Sequence, residues 1–478
     1  MNESPRNPAG LLRAAAAVTP DRRALVAGQA RWTYAEWDSR VSRAANALLA
    51  RGLAAGDRVT VQLPTGTDFT LGYLGALRAG LVPVPVDPAY TAAEVEHIRT
   101  DARAALHIGA DSVALLHSGE SAADPGQERG GEDLAVMLYT SGTSALAKGA
   151  MLSGRALLAN LDQLAAVTPP LLGAADVLFL PLPLTHAFGL NAGLGMALRV
   201  GATLVLADRF EPAATLATMA AEQVTAVLGV PGLFAAWLAD PGLTAGFAGV
   251  RFALSGSTTL PQGVVDGYAA AGVVLHNGYG LTEAAPVVTI NALGAGRDAP
   301  TPGSIGASLP GVEVQLRDND GDQVDEGDPG RIFVRGANLF SGYWPDGAGG
   351  PDADGWFGTG DIAVADDAGE LRLVGRSTDL VIVNGFNVYP AEVEAALAAQ
   401  PGVAEVAVVG VADPTTGEAV HAYVVAAAGV VLDPARLLAG AATSLARFKL
   451  PRAIDVVPAL PRTVTGKIRK WQLDRAGG

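Results

Sequence analysis

The chain has 478 residues, of which 49% are hydrophobic and 17% are charged. This length exceeds what one hydrophobic core usually serves, so we expect a globular protein with at least two domains. The formal net charge of −15 argues against general binding to nucleic acid or anionic lipid, because both require a dense positive surface. Any anionic ligand must therefore be held by a local cluster of donors.

The absence of cysteine limits the chemistry further. The chain can form no disulfide and has no thiol nucleophile, so the sulfur of any thioester would come from a second substrate. The N-terminal segment carries Glu3 and two prolines ahead of a short alanine run, which does not resemble a secretory signal. The longest uncharged stretch, residues 177–198, is interrupted by His186 and Asn191. We therefore predict a cytoplasmic protein without a membrane span.

Short apolar runs of strand length recur along the first half of the chain, at residues 59–64, 177–182, 203–207 and 225–230. Alanine-rich segments with helical spacing alternate with these runs. That alternation predicts an α/β fold, in which a large N-terminal domain contains mainly parallel sheets flanked by helices.

The sequence pattern changes near Gly375. A strand pattern ends there, and a helix-start pattern at residues 389–400 follows before another strand pattern. The remaining residues are enough for a small α+β domain that folds by itself. We predict an N-terminal domain at residues 1–375, a hinge at residues 376–379 and a small mobile C-terminal domain at residues 380–478.

The chain has four lysines among its 33 lysine and arginine residues. Lys148 and Lys467 each lie in a loop rich in glycine and threonine, whereas Lys449 and Lys470 have the surroundings of solvated surface lysines. A compact ammonium on a flexible stem can follow a phosphate group through a reaction. We therefore treat Lys148 and Lys467 as candidate phosphate-binding residues.

Residues 139–149, YTSGTSALAKG, follow an apolar run and contain several hydroxyl side chains. Backbone amides, hydroxyls and one ammonium together supply the short donors that phosphate oxygens require. The spacing differs from the GxxxxGK[ST] pattern of the classical nucleotide-binding loop. Considered alone, the segment is also compatible with a Ser/Thr-rich surface turn.

Five segments resemble, in the same order, the signatures of the adenylate-forming superfamily, which includes acyl-CoA synthetases, luciferases and peptide-synthetase adenylation domains. Residues 139–149 resemble its TSGTTGxPKG signature, and residues 277–286, NGYGLTEAAP, are similar to its GYGxTE segment. Residues 355–361, 375–394 and 460–468 resemble its TGD, hinge and C-terminal lysine signatures. The resemblance implies an acyl-CoA ligase that forms a thioester through an acyl-adenylate. The C-terminal segments resemble those of CoA ligases, which favours CoA over a carrier protein as the acceptor.

The resemblance also implies how ATP, Mg²⁺ and CoA are bound. The loop at residues 139–149 would hold the β- and γ-phosphates, Thr282 would bond the α-phosphate, and Glu283 would bind Mg²⁺. Lys467 would bridge the attacking carboxylate and the α-phosphate, then withdraw as the small domain rotates. Gly385 would leave space for the pantetheine thiol of CoA. The implied catalytic residues are Thr282, Glu283 and Lys467.

The rest of the nucleotide is assigned in the same way. Asp361 would accept both ribose hydroxyls, and Arg376 would reach the ribose or the phosphate. Adenine would lie against residues 255–257 and Tyr279, although SGSTTLP there departs from the family's SGGAPL. The residues predicted to contact the nucleotide or CoA are Thr140, Ser141, Gly142, Thr143, Ser144, Lys148, Ser255, Gly256, Ser257, Asn277, Gly278, Tyr279, Gly280, Asp361, Arg376 and Gly385.

The acyl group would lie beside His186, which the resemblance assigns to gating or packing rather than to proton transfer. Small residues, among them Gly278 and Ala285, would leave room in an apolar pocket for a fatty, aromatic or polycyclic acid. The predicted pocket residues are His186, Phe188, Gly256, Gly280 and Ala284.

The phosphate loop departs from the family at Ser144, Ala145 and Ala147, where threonine, glycine and proline are usual, and Thr378 replaces the usual hinge residue. If the family's glycine is left-handed there, alanine costs about 1–2 kcal/mol and would slow adenylation. Two alternatives therefore stay open. The chain could convert only a preformed acyl-adenylate supplied by a partner adenylating enzyme, or it could be a non-catalytic adenylate-binding protein. The retained catalytic residues favour the complete ligase.

Overall fold

The computed structural model describes residues 5–127, 129–140, 147–257, 260–291, 301, 303–376, 379–383, 386–413, 416–462 and 468–473. Strands and helices alternate along most of this length. The strands are β1 (Arg23–Ala27), β2 (Ala30–Thr33), β3 (Arg58–Val61), β4 (Val82–Pro85), β5 (Ala104–Ile108), β6 (Leu134–Thr140), β7 (Lys148–Ser153), β8 (Val177–Leu180), β9 (Thr203–Leu206), β10 (Ala226–Gly229), β11 (Phe252–Ser255), β12 (Leu275–Gly280), β13 (Val287–Ile290), β14 (Ala307–Ser308), β15 (Val312–Arg317), β16 (Gly330–Gly336), β17 (Trp356–Ala365), β18 (Leu371–Arg376), β19 (Val381–Val383), β20 (Phe386–Val388), β21 (Val403–Asp413), β22 (Gly417–Ala426) and β23 (Ala453–Val456).

The helices vary widely in length. They are α1 (Pro8–Val18), α2 (Tyr34–Leu49), α3 (Thr67–Arg78), α4 (Ala92–Asp101), α5 (Gly154–Ala165), α6 (Met196–Val200), α7 (Pro212–Ala221), α8 (Pro231–Leu238), α9 (Leu243–Phe247), α10 (Gln262–Ala270), α11 (Pro390–Ala398), α12 (Pro434–Ala441) and α13 (Lys470–Leu473). Two further segments matter for the site: a wide π-helical segment at Phe188–Gly195 and a short 3-10 turn at Thr282–Ala284. Within the described residues, no helix combines the length and apolar character that crossing a membrane requires.

A nine-stranded sheet has the order β14-β13-β12-β11-β10-β8-β9-β1-β2. The six strands from β12 to β1 pair in parallel, and antiparallel strands complete both edges. The smaller sheets are the parallel β4-β3-β5, the antiparallel hairpin β6-β7, the four-stranded β15-β16-β17-β18, and β20-β19-β22-β21 with β23 beside β22. The predicted α/β fold with mainly parallel sheets is confirmed.

Aromatic packing fixes one helical layer against the nine-stranded sheet. Trp237 of α8 is fully buried and packs against Phe179 of β8 at 6.2 Å and Phe234 at 5.5 Å between ring centroids. Its indole nitrogen donates to the Thr215 hydroxyl of α7 at 2.8 Å, so the buried donor is satisfied. Val227 of β10 and Ala253 of β11 are buried in the same apolar cluster as Trp237.

By contacts, the chain divides into two compact units. The first comprises residues 1–314 and 334–357, and the second comprises residues 315–333 and 358–478. The second unit has its own apolar core, in which Val381, Val393 and Val408 are fully buried. The predicted hinge at residues 376–379 stays a prediction, and Thr378 lies outside the described residues.

Ser257 follows β11 with a φ of 75°, a backbone conformation that favours glycine. Its side chain is exposed, so little packing opposes its removal. We expect Ser257→Gly to stabilise the first unit by about 0.5–1 kcal/mol, because a left-handed non-glycine residue costs about 1–2 kcal/mol and glycine loses more entropy on folding. The urea midpoint of unfolding, followed by tryptophan fluorescence, measures this change.

Ser39 provides the matched control, because it lies within α2. There the same substitution should lower stability by about 0.5–1 kcal/mol, since glycine weakens a helix interior. A lower midpoint for Ser257→Gly would contradict the assigned strain.

Candidate active site

The carboxyl ends of β8, β10, β11 and β12 meet at one edge of the nine-stranded sheet, because these strands run parallel. The segments that leave this edge contain His186, residues 255–257 and residues 279–283. The sheet therefore brings together, within the first unit, most residues predicted to bind adenine, the α-phosphate and the acyl group. Ligands of open α/β sheets commonly bind at such an edge.

Ser255 and Asn277 are cross-strand partners at this edge. Both residues are buried, and Ser255 Oγ and Asn277 Oδ1 have no hydrogen-bond partner within the described residues. Thr185 Oγ1, one residue before His186, is also buried and has no partner there. Buried polar atoms are normally paired, so an unpaired group at a strand edge fits a polar ligand such as a nucleotide.

The backbone around Tyr279 is closely packed. A Cβ atom at Gly280 would lie 2.1 Å from the Pro286 carbonyl oxygen, and one at Gly278 would lie 3.3 Å from the Thr289 carbonyl oxygen. Ala284 is fully buried. Glycine at position 280 is thus explained by close strand packing, and its geometry gives no support to the expectation that it makes room for an acyl group.

Gly256 has a different environment. Its Cβ position would lie 3.0 Å from the Phe188 ring, so the absence of a side chain lets that ring approach the end of β11. Phe188 begins the π-helical segment that follows His186, and such wide turns are frequent at functional sites. The structure therefore places Phe188 and Gly256, which are both predicted to line the acyl pocket, next to each other.

His186 lies beside this contact, with its side chain about one-third exposed. Its Nε2 is 3.9 Å from the Asp87 Oδ2 atom, which exceeds hydrogen-bond distance. Its backbone carbonyl accepts a hydrogen bond from Leu190 at 2.8 Å. The predicted packing or gating role of His186 stays a prediction.

Glu283 occupies the short turn after β12, and Tyr343 holds its carboxylate. The Tyr343 hydroxyl donates to Glu283 Oε1 at 2.6 Å, and the Phe340 amide donates to the Glu283 carbonyl at 2.9 Å. Burial and the neighbouring carboxylate raise the pKa of Tyr343 above its usual value, so its hydroxyl stays a donor. Thr282, which starts the turn, is half-buried beside it.

The hairpin β6-β7 carries the predicted phosphate loop. Thr140 and Lys148 face each other across this hairpin, and Lys148 is exposed with its Nζ 5.6 Å from the centroid of the Tyr343 ring. The Ala147 carbonyl lies 3.4 Å from His97 Nε2. The loop residues Ser141, Gly142, Thr143, Ser144 and Ala145 lie outside the described residues.

In the second unit, Asp361 and Arg376 are cross-strand partners of β17 and β18. Arg376 Nε donates to Asp361 Oδ1 at 2.9 Å, and Asp361 is buried while the Arg376 side chain is about half exposed. The two predicted ribose-binding residues are therefore adjacent to each other. Gly385 and Lys467 lie outside the described residues.

The described carboxylates are too few to bind Mg²⁺ without help from a substrate. In the part of the chain that the structure describes, no cluster of three or more histidine, aspartate or glutamate side chains could hold a metal by itself. Mg²⁺ usually keeps several waters and binds through one or two carboxylates plus substrate phosphates. The carboxylate of Glu283, which Tyr343 holds in place, therefore fits a Mg²⁺ ion that enters the site already bound to the phosphates of ATP.

Sequence reasoning missed the residues that support Glu283. Asn338 donates to the Ala284 carbonyl at 2.8 Å and accepts from buried Gln163 at 3.2 Å, and Tyr343 bonds the Glu283 carboxylate. The segment NLFSGYW, residues 338–344, is uncharged. The one local signal that could have drawn attention to this segment is Tyr343 next to Gly342.

Comparison with known proteins agrees with this geometry. The family model described as "AMP-binding enzyme" matches residues 12–344, and the model described as "AMP-binding enzyme C-terminal domain" matches residues 392–467. A feruloyl-CoA synthase of Amycolatopsis sp is 35% identical, with 97% of each chain covered. A long-chain-fatty-acid–CoA ligase of Escherichia coli O157:H7 is 33% identical, with 91% of this chain and 89% of the relative covered.

Among solved structures, the crystal structure of ATP-bound MatB from Rhodopseudomonas palustris matches with a TM-score of 0.91, 34% identity and 98% coverage of each chain. These comparisons give no support to an enzyme restricted to preformed acyl-adenylates, to a partner adenylating enzyme or to a non-catalytic protein. The predicted family is confirmed. The chain belongs to the AMP-binding enzyme family of adenylate-forming enzymes, and it is an AMP-forming acyl-CoA ligase.

Proposed function

We propose that this ligase activates an apolar carboxylic acid, which it binds between the nine-stranded sheet and the helical segment after His186. The observation that carries the proposal is the wholly apolar lining, by nine residues, of a small void of about 20 Å³, which has room for about one water molecule and which an acyl group would have to widen. They include Leu228 and Leu254 on the strands, Ala192 on the π-helical segment and Met196 at the start of α6. A buried carboxylate without a partner is costly, so such a lining disfavours acids with a second charge.

The cavity lies on the side of the sheet that Phe188 covers. Side chains alternate along a strand, so Phe252 and Leu254 share one face of β11 with the Cβ direction of Gly256. Phe188 packs over Gly256, one turn before Ala192 on the same helical segment. The proposed acyl group would therefore pass His186 and Phe188 and reach toward this cavity with its apolar end.

Two relatives support an apolar substrate through their names. One is a feruloyl-CoA synthase and the other a long-chain-fatty-acid–CoA ligase. The first name specifies an aromatic acid and the second a long-chain aliphatic one. The cytoplasmic location expected from the sequence belongs to the same proposal.

We extend the proposal to the roles of individual residues. Thr140, Lys148 and the intervening loop would bind the β- and γ-phosphates, while Thr282 would donate to the α-phosphate. Glu283 would hold Mg²⁺, which when bound neutralises charge on the phosphates. Lys467 would orient the carboxylate oxygen that attacks the α-phosphorus as the bond to pyrophosphate breaks.

The second half-reaction would use the same acyl-adenylate. Asp361 would keep its ribose in place, with Arg376 beside it, and Gly385 would leave a path for the CoA thiol. The thiol sulfur of CoA would attack the acyl carbonyl carbon, the bond from that carbon to the phosphate oxygen would break, and AMP and the thiol proton would leave. Ser255, Gly256 and Tyr279 would continue to hold adenine through both steps.

The choice of acid tests the proposal directly. With MgATP and CoA, we expect decanoate and 3-phenylpropenoate to be converted at a kcat/KM at least about 100-fold above that of malonate, because a site built for apolar groups leaves a second carboxylate unpaired. Thioester formation measures this ratio. Equal or faster turnover of malonate would refute the apolar class while leaving the ligase reaction itself intact.

Ala192 offers a test of the cavity. Ala192→Leu fills space beside Met196, so we expect kcat/KM for the longest acid accepted to fall about 10-fold relative to short acids. Ala197→Leu is the matched control, because Ala197 is equally buried on α6 but does not line the cavity. Similar length profiles for the two variants would contradict the proposed position of the acyl chain.

Lys467 should act in adenylation alone. We expect Lys467→Ala to lower acid-dependent ATP–pyrophosphate exchange by about 10²–10³-fold, because it removes a preorganised donor from the transition state. Thioester formation from a synthetic acyl-adenylate and CoA should change little. Lys470→Ala is the control, since Lys470 forms an ion pair with Glu394 at 2.8 Å in the same unit. Equal loss in both half-reactions would contradict the assigned role.

A further inference from the structure

One segment, residues 338–344, bonds the turn that contains Glu283 at three points. The Phe340 amide donates to the Glu283 carbonyl at 2.9 Å, the Asn338 amide group donates to the Ala284 carbonyl at 2.8 Å, and the Tyr343 hydroxyl donates to Glu283 Oε1 at 2.6 Å. Two of these bonds hold the backbone of the turn. The third is the one that acts on the Glu283 side chain itself.

The same segment bonds the strand that follows the phosphate loop. The Trp344 amide donates to the Gly149 carbonyl at 2.8 Å, and two further backbone bonds join Met151 to Ser341 and Gly342 at 2.9 and 3.0 Å. These bonds attach the segment to β7, whose first residue is Lys148. We call residues 338–344 the bridging segment, because it is hydrogen-bonded to both β7 and the Glu283 turn.

Tyr343 is held firmly within the bridging segment. Its ring packs edge-on against Phe340 at 5.1 Å, and its amide donates to the Ala348 carbonyl at 3.0 Å. The preceding residue, Gly342, has a φ of 96°, and a Cβ atom there would lie 2.0 Å from the Gly347 carbonyl oxygen. The turn that presents Tyr343 therefore requires glycine at position 342.

We infer that Tyr343 is a positioning residue, whose hydroxyl orients the Glu283 carboxylate toward Mg²⁺ while its ring holds the Lys148 ammonium beside the phosphates. The inference rests on the proposed function, which assigns Glu283 to the metal and Lys148 to ATP. A glutamate side chain has three rotatable bonds. A hydrogen bond that holds one carboxylate oxygen in place therefore reduces the conformational entropy that the side chain would lose on binding a metal. Lys148 lies 5.6 Å from the ring, within the range of a cation–π contact.

The two parts of Tyr343 have separable effects. Tyr343→Phe keeps the ring and removes the hydroxyl, so we expect about a 10-fold rise in the Mg²⁺ concentration that half-saturates the enzyme–nucleotide complex, as is typical when a hydrogen bond to a metal ligand is lost. Nucleotide affinity without Mg²⁺ should stay within about 3-fold of the original protein, because the contact with Lys148 remains. Tyr343→Leu should weaken both.

The experiment is a calorimetric titration of the full-length protein with a non-hydrolysable ATP analogue over a series of Mg²⁺ concentrations. It measures binding without turnover, and acid-dependent ATP–pyrophosphate exchange is measured in parallel. Tyr268→Phe is the matched control, because the Tyr268 hydroxyl donates to the Phe234 carbonyl at 3.1 Å in the same unit, away from Glu283. It should leave the Mg²⁺ dependence unchanged even if it lowers stability.

Glu283→Gln separates failure of the inference from failure of the proposed function. Loss of Mg²⁺ dependence in Glu283→Gln, with an unchanged dependence in Tyr343→Phe, would overturn the positioning role alone. An unchanged dependence in Glu283→Gln would overturn the assignment of Glu283 to the metal, and the inference with it. In the double variant, Tyr343→Phe should produce no additional change, because its effect passes through Glu283; an additive loss would also overturn the inference.

Glu283→Asp gives a second measurement that does not depend on changing Tyr343. The shorter side chain withdraws the carboxylate from the Tyr343 hydroxyl while keeping its charge. We expect it to raise the Mg²⁺ requirement about as much as Tyr343→Phe does, about 10-fold. An aspartate variant with the original Mg²⁺ dependence would show that the hydroxyl contact is dispensable.

Discussion

Parallel pairing of β8, β10, β11 and β12 is the constraint on which the site depends. Because the strands run in one direction, the segments that follow them leave the sheet at one edge, where their polar groups converge. Ser255 and Asn277 are neighbours across two strands at that edge, and both keep a buried polar atom without a partner in the described structure. The same strands contribute Phe179, Val227 and Ala253 to the buried apolar cluster around Trp237.

Electrostatics adds a second requirement, because an acidic protein must bind a polyanion. With a net charge of −15, the chain cannot rely on a general positive field and needs donors at fixed positions. In the proposed function, Lys148 on the hairpin β6-β7 is one such donor, whereas the Glu283 turn would act through a bound Mg²⁺. The bridging segment is hydrogen-bonded to both, so the cation and the carboxylate belong to one hydrogen-bonded framework rather than to two independent loops.

The sequence predicted those parts of the protein that depend on short-range pattern. Alternating apolar runs and helical segments gave the α/β fold, and the GYGLTEAAP and TSGTSALAKG segments gave the family, because each signature is contained in about ten residues. It could not show that Tyr343 contacts Glu283, since sixty residues separate them and neither residue has a local pattern that specifies the other. From the sequence, several glycines were expected to share one purpose, which was to leave room for the acyl group. In the structure their surroundings differ, because Gly280 lies against the backbone of Pro286 and Gly256 lies against the ring of Phe188.

The proposed acyl site shows why the substrate class is harder to predict from sequence than the reaction chemistry. Its lining comes from α5 and the loop after it, the π-helical segment, α6, β10, β11 and β13, so no single stretch of sequence contains it. Each contributor, such as Leu228 or Met196, is an ordinary apolar core residue when considered alone. Phosphate chemistry needs hydroxyls, glycines and lysine at particular positions and therefore leaves a recognisable local pattern. An apolar pocket is defined by its shape alone. That shape depends on which side chains several elements, distant in sequence, bring to the same face of a sheet.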